Sequence, residues 1–443
     1  VKRESGTSPA TGDWEFFELE VNETGSKIAK RGFVDVVNRF DGNCFSCHAP
    51  AREKWDFICE SDHGCESIPI DHSMTGALQR SDPRCGETEL ESGDSMALFK
   101  LKAMVSIGLT KKWLEEKLPH LGNLNKIEKF DVGQSNPTYL LHCDNKKIVL
   151  RSKPMGNLLR GAHRIDREYR VMSALRETKI PVPNMIIYCD ENKIIGSEFF
   201  LMDFIDGIKE KKPILENYSK DEKKKIYKKK LEALVNLAQL DLKKYNLEDY
   251  GKKSDYLFRQ IDLWIKQYRA SETQKIEAME FLIENLGSNI PDIYEKFNPV
   301  LTHGDFRIDN MIFSKNLDIA SLLDWELSTL APPFIDLSYW CLMLRFETDW
   351  PIPGLGQIRD NIITEGIPKE KELLQLYADA LGYDIGKSWN FLLAFNCFRF
   401  AGILQGVFKR SKDGNNAGKD ANQVGLLTEP VSKMGEQFLK LYI

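Results

Sequence analysis

The sequence predicts an α+β chain in which a small β-rich lobe precedes a larger, mostly helical lobe, with a Cys-containing segment in front of both. Three observations carry this. Residues 1–95 are rich in Gly, Ser and Asp and lack long periodic segments, and GETELESGDS at 86–95 has the polarity of a linker. From Met96 onward strand-like and helix-like segments alternate. Beyond residue 207 helical periodicity dominates. The expected divisions are therefore 1–95, 96–206 and 207–443.

The elements follow in order. MVSIGLTKKWLEEKL (104–118) reads as a helix. IEKFDVGQSNPTYLLHC (127–143) and KKIVLRSKP (146–154) read as strands joined by turns, with Gly133 in the first connection. HRIDREYRVMSALRET (163–178) is helical, because Tyr169, Met172 and Leu175 share one apolar face. MIIYCD (185–190) and SEFFLMDFI (197–205) are the next strands. Strand, Gly-bearing turn, strand, helix, strand, strand is the order of a small nucleotide-binding lobe. In the second lobe, residues 219–241 place Leu231, Leu234, Val235 and Ala238 on one helical stripe. The lysines of that helix read as a solvated face rather than as a patch for an anionic substrate.

Composition excludes some partners. With 443 residues, 42% hydrophobic and 29% charged, the chain has an ordinary globular balance. A net charge of −5 gives no electrostatic footprint for nucleic acid. No uninterrupted run of about 18 apolar residues occurs, so no membrane-spanning helix is expected. The chain starts at Val1, and VKRESGTSPATG lacks a signal-peptide core, so a fragment of a longer precursor is expected. Of nine cysteines, Cys143, Cys189, Cys341 and Cys397 lie singly among apolar neighbours and read as buried small hydrophobes.

The chemistry is concentrated in LTHGDFRIDNMIF (301–313) and LLDWE (322–326). Apolar ends enclose a histidine, two aspartates, an arginine and an asparagine, groups that are costly to bury unpaired. MIF (311–313), the SKNLD turn and the segment from Ile319 form a predicted β-hairpin. That hairpin returns Asp324 to the end where Asn310 began, so Asp305, Asn310 and Asp324 converge. Phosphoryl transfer needs such a set: an aspartate for the proton of the attacking hydroxyl, and an asparagine and a second aspartate for the metal that bridges the ATP phosphates. Oxygen donors of this kind suit Mg²⁺. Asp309 reads as structural. Upstream, Gly133, Gln134, Ser135 and Asn136 form a turn suited to present N–H groups to phosphate. Arg151 or Lys153, at period two on one strand face, supplies a basic group, and Glu168 on the next helix is placed to pair with it.

These residues resemble the aminoglycoside phosphotransferase and choline kinase-like superfamily, which has a protein-kinase-like fold. HGDFRIDN is similar to its H-G-D-x-x-x-x-N loop and LLDWE to its D-W-E segment, over roughly 105–435. The resemblance implies Asp305 as catalytic base, Asn310 and Asp324 as Mg²⁺ ligands, and a hinge at MDFIDG whose Asp203, Phe204 and Ile205 backbone pairs with adenine. GQSNPTY, VLRSKP, PPFIDLSYW (332–340) and FRFAGILQGVFKR (398–410) further resemble kinase-like domains of acyl-CoA dehydrogenase-family proteins. That resemblance implies a hydroxyacyl thioester such as a hydroxyacyl-CoA as acceptor, with Arg399 and Arg410 near it; salt bridges within the helical lobe are the alternative use of both arginines. The chain departs from the family pattern at Arg151, where lysine is usual, and at Gln239, where L-x-x-L-H-x-x-D has histidine; Asp241 remains.

The amino-terminal segment carries GNCFSCHAP, a C-x-x-C-H motif. Cys44, Cys47 and His48 match c-type haem attachment, and the stretch resembles the end of a small c-type cytochrome domain. Haemylation implies export, whereas ATP-dependent chemistry implies the cytoplasm. Zinc held among Cys44, Cys47, Cys59, His63, Cys65 and Cys85 is a second reading, and unbound thiols a third. A junction of unrelated segments, with Met96 or Met104 as the start of the second, would also remove the conflict. The expectation is an ATP- and Mg²⁺-dependent kinase of a small-molecule hydroxyl. A silent nucleotide-binding module and a redox haem protein are the rivals. Aminoglycosides and amino alcohols such as choline are alternative acceptors, and oligomeric state is left open.

Overall fold

The computed structural model describes two strands at 16–22 and 25–32 and residues 110–443, apart from 131–135, 155–163, 347–349, 353, 357–364 and 414–420. The segment with Cys44, Cys47 and His48 lies outside the described residues, as do Gly133, Gln134 and Ser135. The strands β1 (Phe16–Asn22) and β2 (Gly25–Gly32) pair antiparallel as a hairpin.

The first lobe is an antiparallel five-stranded sheet in the order β3-β4-β5-β7-β6. Its strands are β3 (Leu124–Lys129), β4 (Thr138–Cys143), β5 (Lys147–Ser152), β6 (Met185–Cys189) and β7 (Phe199–Asp203). The run expected over 127–143 is thus two strands, the first starting earlier, at Leu124. The helix expected from 104 is described from 110 to 117. Ile148, Leu150 and Leu201 fill one face of the sheet with Trp113 and Leu121. Val149, Phe200 and Met202 point the other way, toward helix α1 (Ile165–Leu175) and its Val171 and Met172. Period-two alternation therefore gives the sheet an apolar layer on each face.

Beyond a short helix α2 (Asn192–Ile195) and β7, Ile208 exchanges two backbone hydrogen bonds of 2.8 Å with Phe313. The chain after MDFIDG is thereby tied to the second lobe. Helix α3 (Lys220–Ala238) starts where Ser219 Oγ accepts from the Glu222 N–H and Glu222 Oε2 accepts from the Ser219 N–H at 2.8 Å, a capping box. Its lysines are not all solvated: Lys230 is buried.

Helices α4 (Tyr256–Ser271), α5 (Glu277–Asn285), α6 (Ile335–Arg345), α7 (Glu370–Leu381), α8 (Ser388–Lys412), α9 (Ala421–Leu426) and α10 (Thr428–Tyr442) complete the lobe. α8 has 25 residues, its apolar positions interrupted by Asn390, Asn396, Arg399 and Gln405. By length and composition it is long and apolar enough to cross a membrane, yet 78% of its apolar window is buried against its neighbours, so it serves as a core helix. Cys189, Cys341 and Cys397 are buried, and Cys143 is half-buried.

Candidate active site

Two short antiparallel pairs hold the site in the second lobe: β8 (Val300–Thr302) with β11 (Thr329–Ala331), and β9 (Met311–Phe313) with β10 (Ile319–Leu322). The second is the hairpin anticipated from the spacing. Leu323 N–H donates to the Asn310 carbonyl at 2.9 Å, which fixes Asp324 beside the end of the 303–310 loop. Asp324 itself sits at φ +67°, a left-handed conformation that costs most side chains energy but that aspartate tolerates better than most.

The loop is braced from below. His303 Nε2 donates to the Leu323 carbonyl at 2.9 Å and Nδ1 accepts from the Asp305 N–H at 3.3 Å, so this network places the ring proton on Nε2. The ring packs 4.6 Å from that of the buried Trp325. Asp336, at the first turn of α6, accepts from the His303 N–H at 2.6 Å and the Gly304 N–H at 2.9 Å. Gly304 has φ +83°, and a Cβ there would collide with the Leu327 carbonyl, so only glycine fits. Arg399, inside α8, donates to the Gly304 carbonyl at 2.9 Å and lies over the Tyr339 ring. Neither Asp336 nor His303 was singled out in the sequence; an aspartate opening the otherwise apolar IDLSYWCLML was the available signal. Arg410 is exposed near the end of α8, eleven residues beyond Arg399, or roughly 16 Å along a helix.

Asp305 is nearly enclosed. Arg307 Nε lies 2.9 Å from its Oδ1, and Arg307 Nη2 lies 3.3 Å from its Oδ2. Asn310 Nδ2 donates to Asp305 Oδ2 at 2.9 Å and to its carbonyl at 3.0 Å. Burial alone would raise the Asp305 carboxyl, but Arg307, the Asn310 hydrogen bond and Arg399 outweigh it and hold it below the ordinary carboxylate range. With its amide nitrogen turned to Asp305, Asn310 keeps its amide oxygen as a ligand atom.

The opposite wall comes from the sheet. Arg151 Nε donates to Glu168 Oε2 at 2.8 Å, and Arg151 Nη2 donates to Asp324 Oδ1 at 2.6 Å. Glu326 stands 3.9 Å from the same nitrogen, and Asn136 Nδ2 donates to Glu326 Oε2 at 3.2 Å. Burial would weaken the guanidinium charge, but Glu168, Asp324 and Glu326 reverse that and keep it fully protonated. Burial also pushes the Glu168 carboxyl up, with Arg151 opposing. Lys153 lies beyond the end of β5, 3.5 Å from Glu198, so the structure places Arg151 and not Lys153 between the carboxylates. Asp203 Oδ1 accepts from Lys146 Nζ at 2.7 Å, Phe204 lies under Lys147, and Ile205 follows half-buried in the connection.

Asn310 and Asp324 fit a hard divalent cation. Both present oxygen, and the Asp324 side chain is 36% exposed and so reachable. Mg²⁺ takes one or two protein oxygens and completes its shell with phosphate and water rather than requiring a full protein cage. Among the described residues no cluster of three or more His, Cys, Asp or Glu forms such a cage.

A protein-family comparison matches residues 126–373 to the phosphotransferase enzyme family, APH. The chain is 41% identical over 315 residues to acyl-CoA dehydrogenase family member 10 of Mus musculus, covering 71% of this chain and 29% of that protein. It is 38% identical over 316 residues to acyl-CoA dehydrogenase family member 11 of Homo sapiens, covering 71% and 40%. The chain thus spans less than half the length of these two relatives. A solved structure described as a putative aminoglycoside phosphotransferase from Ralstonia eutropha JMP134 is 35% identical, with a TM-score of 0.68 and coverage of 75% of this chain and 98% of its own.

Proposed function

The chain belongs to the phosphotransferase enzyme family, and on that premise we propose that it transfers the γ-phosphoryl group of ATP to a hydroxyl of a small molecule. The observation that carries the reading is the meeting of Arg151, Glu168 and Asp324, three charged groups from separate segments, opposite the Asp305–Asn310 loop. Bound Mg²⁺ would neutralise charge on the phosphate oxygens, held by Asn310 and Asp324. Arg151, oriented by Glu168, offers its guanidinium to the phosphates. The backbone at Asp203, Phe204 and Ile205 receives the base, and the residues expected to meet the phosphates, Gly133, Gln134 and Ser135, lie outside the described residues just before Asn136.

Asp305 takes the role of base. The acceptor oxygen attacks phosphorus as its proton passes to the Asp305 carboxylate, the bond to ADP breaks, and ADP leaves. A carboxylate held ionised by Arg307 is a weak base, so its main contribution is to orient the hydroxyl in line, with proton transfer late.

For the acceptor we favour a hydroxyacyl thioester, on the likeness over 71% of the chain to acyl-CoA dehydrogenase-family proteins. The test is ADP release with ATP and Mg²⁺ over a panel of hydroxyacyl-CoAs, amino alcohols and aminoglycosides. Turnover confined to the thioesters supports this acceptor class. Turnover confined to aminoglycosides or amino alcohols replaces it, and turnover on none removes the kinase reading.

A further inference from the structure

A buried tyrosine with no part in the mechanism above joins two of its segments. Tyr250 stands in the connection between α3 and α4 and is only 1% exposed. The Arg167 guanidinium lies 4.2 Å from the centre of its ring, and its carbonyl accepts from Arg167 Nη2 at 2.6 Å. Arg170, three residues further along α1, donates to the Asn246 carbonyl at 2.8 Å and pairs with Asp249. Two arginines of α1 thus hold the 246–250 segment. On the next residue, Gly251, a Cβ would collide with the Thr329 hydroxyl and the Leu330 nitrogen, so the backbone there is pressed against β11.

The hydroxyl completes the arrangement. Tyr250 Oη lies 2.7 Å from Ser328 Oγ and 3.2 Å from the Arg167 carbonyl. Ser328 Oγ donates onward to the Trp325 carbonyl at 2.5 Å, and the Ser328 N–H donates to the same carbonyl at 3.0 Å. With the serine proton committed there, the tyrosine proton faces two acceptors, Ser328 Oγ and the Arg167 carbonyl. Arg167 adjoins Glu168 and Trp325 adjoins Asp324, the two carboxylates that grip Arg151. Two bridges therefore join the same two segments. One runs through charged side chains, Glu168 to Arg151 to Asp324, and the other runs from the Arg167 carbonyl through two buried hydroxyls to the Trp325 carbonyl.

We propose that Tyr250 is a positioning residue for the phosphoryl-transfer reaction: its hydroxyl holds the first turn of α1 at a fixed spacing from the Trp325 backbone, so that Arg151 and Asp324 stay in register when both turn toward the nucleotide. The proposal rests on the kinase reading of the site. An arginine that serves phosphate and an aspartate that serves a metal relax the contact they make with each other. The hydroxyl bridge then remains to hold the two segments together. Neither neighbour needs the hydroxyl for its own hydrogen bonding. The Arg167 carbonyl lies within α1, where the N–H four residues on donates to it, and Ser328 Oγ keeps the Trp325 carbonyl. Alignment is therefore the chief effect of deleting it.

The test pairs kinetics with nucleotide binding. Tyr250→Phe keeps the ring beside Arg167 and deletes only the hydroxyl. Its KM for ATP should rise about fivefold and its kcat fall about fivefold, while KM for the acceptor stays within about twofold and the melting temperature within about 4 °C of wild type, a split that a merely structural tyrosine would not give. Calorimetric binding of MgADP should weaken by about fivefold as well. Ser328→Ala cuts the same bridge at its other end and should reproduce the pattern. In a Glu168→Gln background, where the grip on Arg151 is already loosened, Tyr250→Phe should cost less than it does in wild type. An unchanged KM for ATP and MgADP affinity, equal losses toward ATP and acceptor, or the full loss in the Glu168→Gln background would overturn the proposal. If Tyr250→Phe does not fold, Ser328→Ala decides it by the same measurements. A wild type that turns over no acceptor would remove the kinase reading instead, and MgADP affinity would still decide whether the hydroxyl bridge serves the nucleotide site.

Discussion

Arg151 and Asp324, 173 residues apart in sequence, meet at 2.6 Å. The contact joins the β-sheet lobe to the segment that follows the β9–β10 hairpin of the helical lobe, and Glu168 holds the arginine from behind at 2.8 Å. A planar guanidinium serves both carboxylates at once through different nitrogens; a lysine ammonium on a shorter reach cannot. Arg151→Lys should therefore lower kcat/KM by about 100-fold, and Glu168→Gln by less, since the arginine remains but loses its charged support. Steady-state kinetics with ATP as the varied substrate reads both. Arg151→Lys at wild-type efficiency would contradict the role.

Asp336 should matter without touching substrate. Its two oxygens accept the His303 and Gly304 N–H groups, and an asparagine there would turn an NH₂ toward one of those donors. An unsatisfied buried donor costs about 1–3 kcal/mol. Asp336→Asn should lower stability by about that much in urea unfolding and depress kcat together with it. An unchanged unfolding midpoint would show the clamp to be dispensable.

Lys230 gives a pH signature in stability. Burial holds its folded-state ammonium down to about 7 from an ordinary 10.5. Between those values the unfolded chain binds the extra proton, so this group makes wild-type stability rise with pH across that window. Below it, the fold carries the whole cost of the buried charge. Lys230→Met lacks that proton, so its advantage over wild type should be greatest near about pH 6 and shrink toward about pH 10. Calorimetric melting across the range measures it, and a constant gap would contradict an ammonium held down by burial.

The two-lobe α+β organisation was legible because period-two and period-3.6 patterns are local. The convergence of Asp305, Asn310 and Asp324 was also legible, since a short hairpin has few geometries and Leu323 closes on Asn310 as the spacing required. The choice between Arg151 and Lys153 was not, because strand periodicity gives a face and not the point where the strand ends. Asp336 and Lys230 were hidden for a different reason. The groups that surround each lie far along the chain, and Lys230 stands in a run of lysines that otherwise point outward.

The most direct test of the account compares wild type with Asp305→Asn. The substitution keeps the size of the side chain and deletes the carboxylate that Arg307 and Asn310 hold in place. With the best acceptor of the panel, the rate of acceptor phosphorylation should fall by about 100-fold or more while ATP affinity, measured by calorimetry with Mg²⁺, stays within about threefold. Equal phosphorylation rates in the two proteins would contradict the assignment of Asp305, and with it the reading of the site.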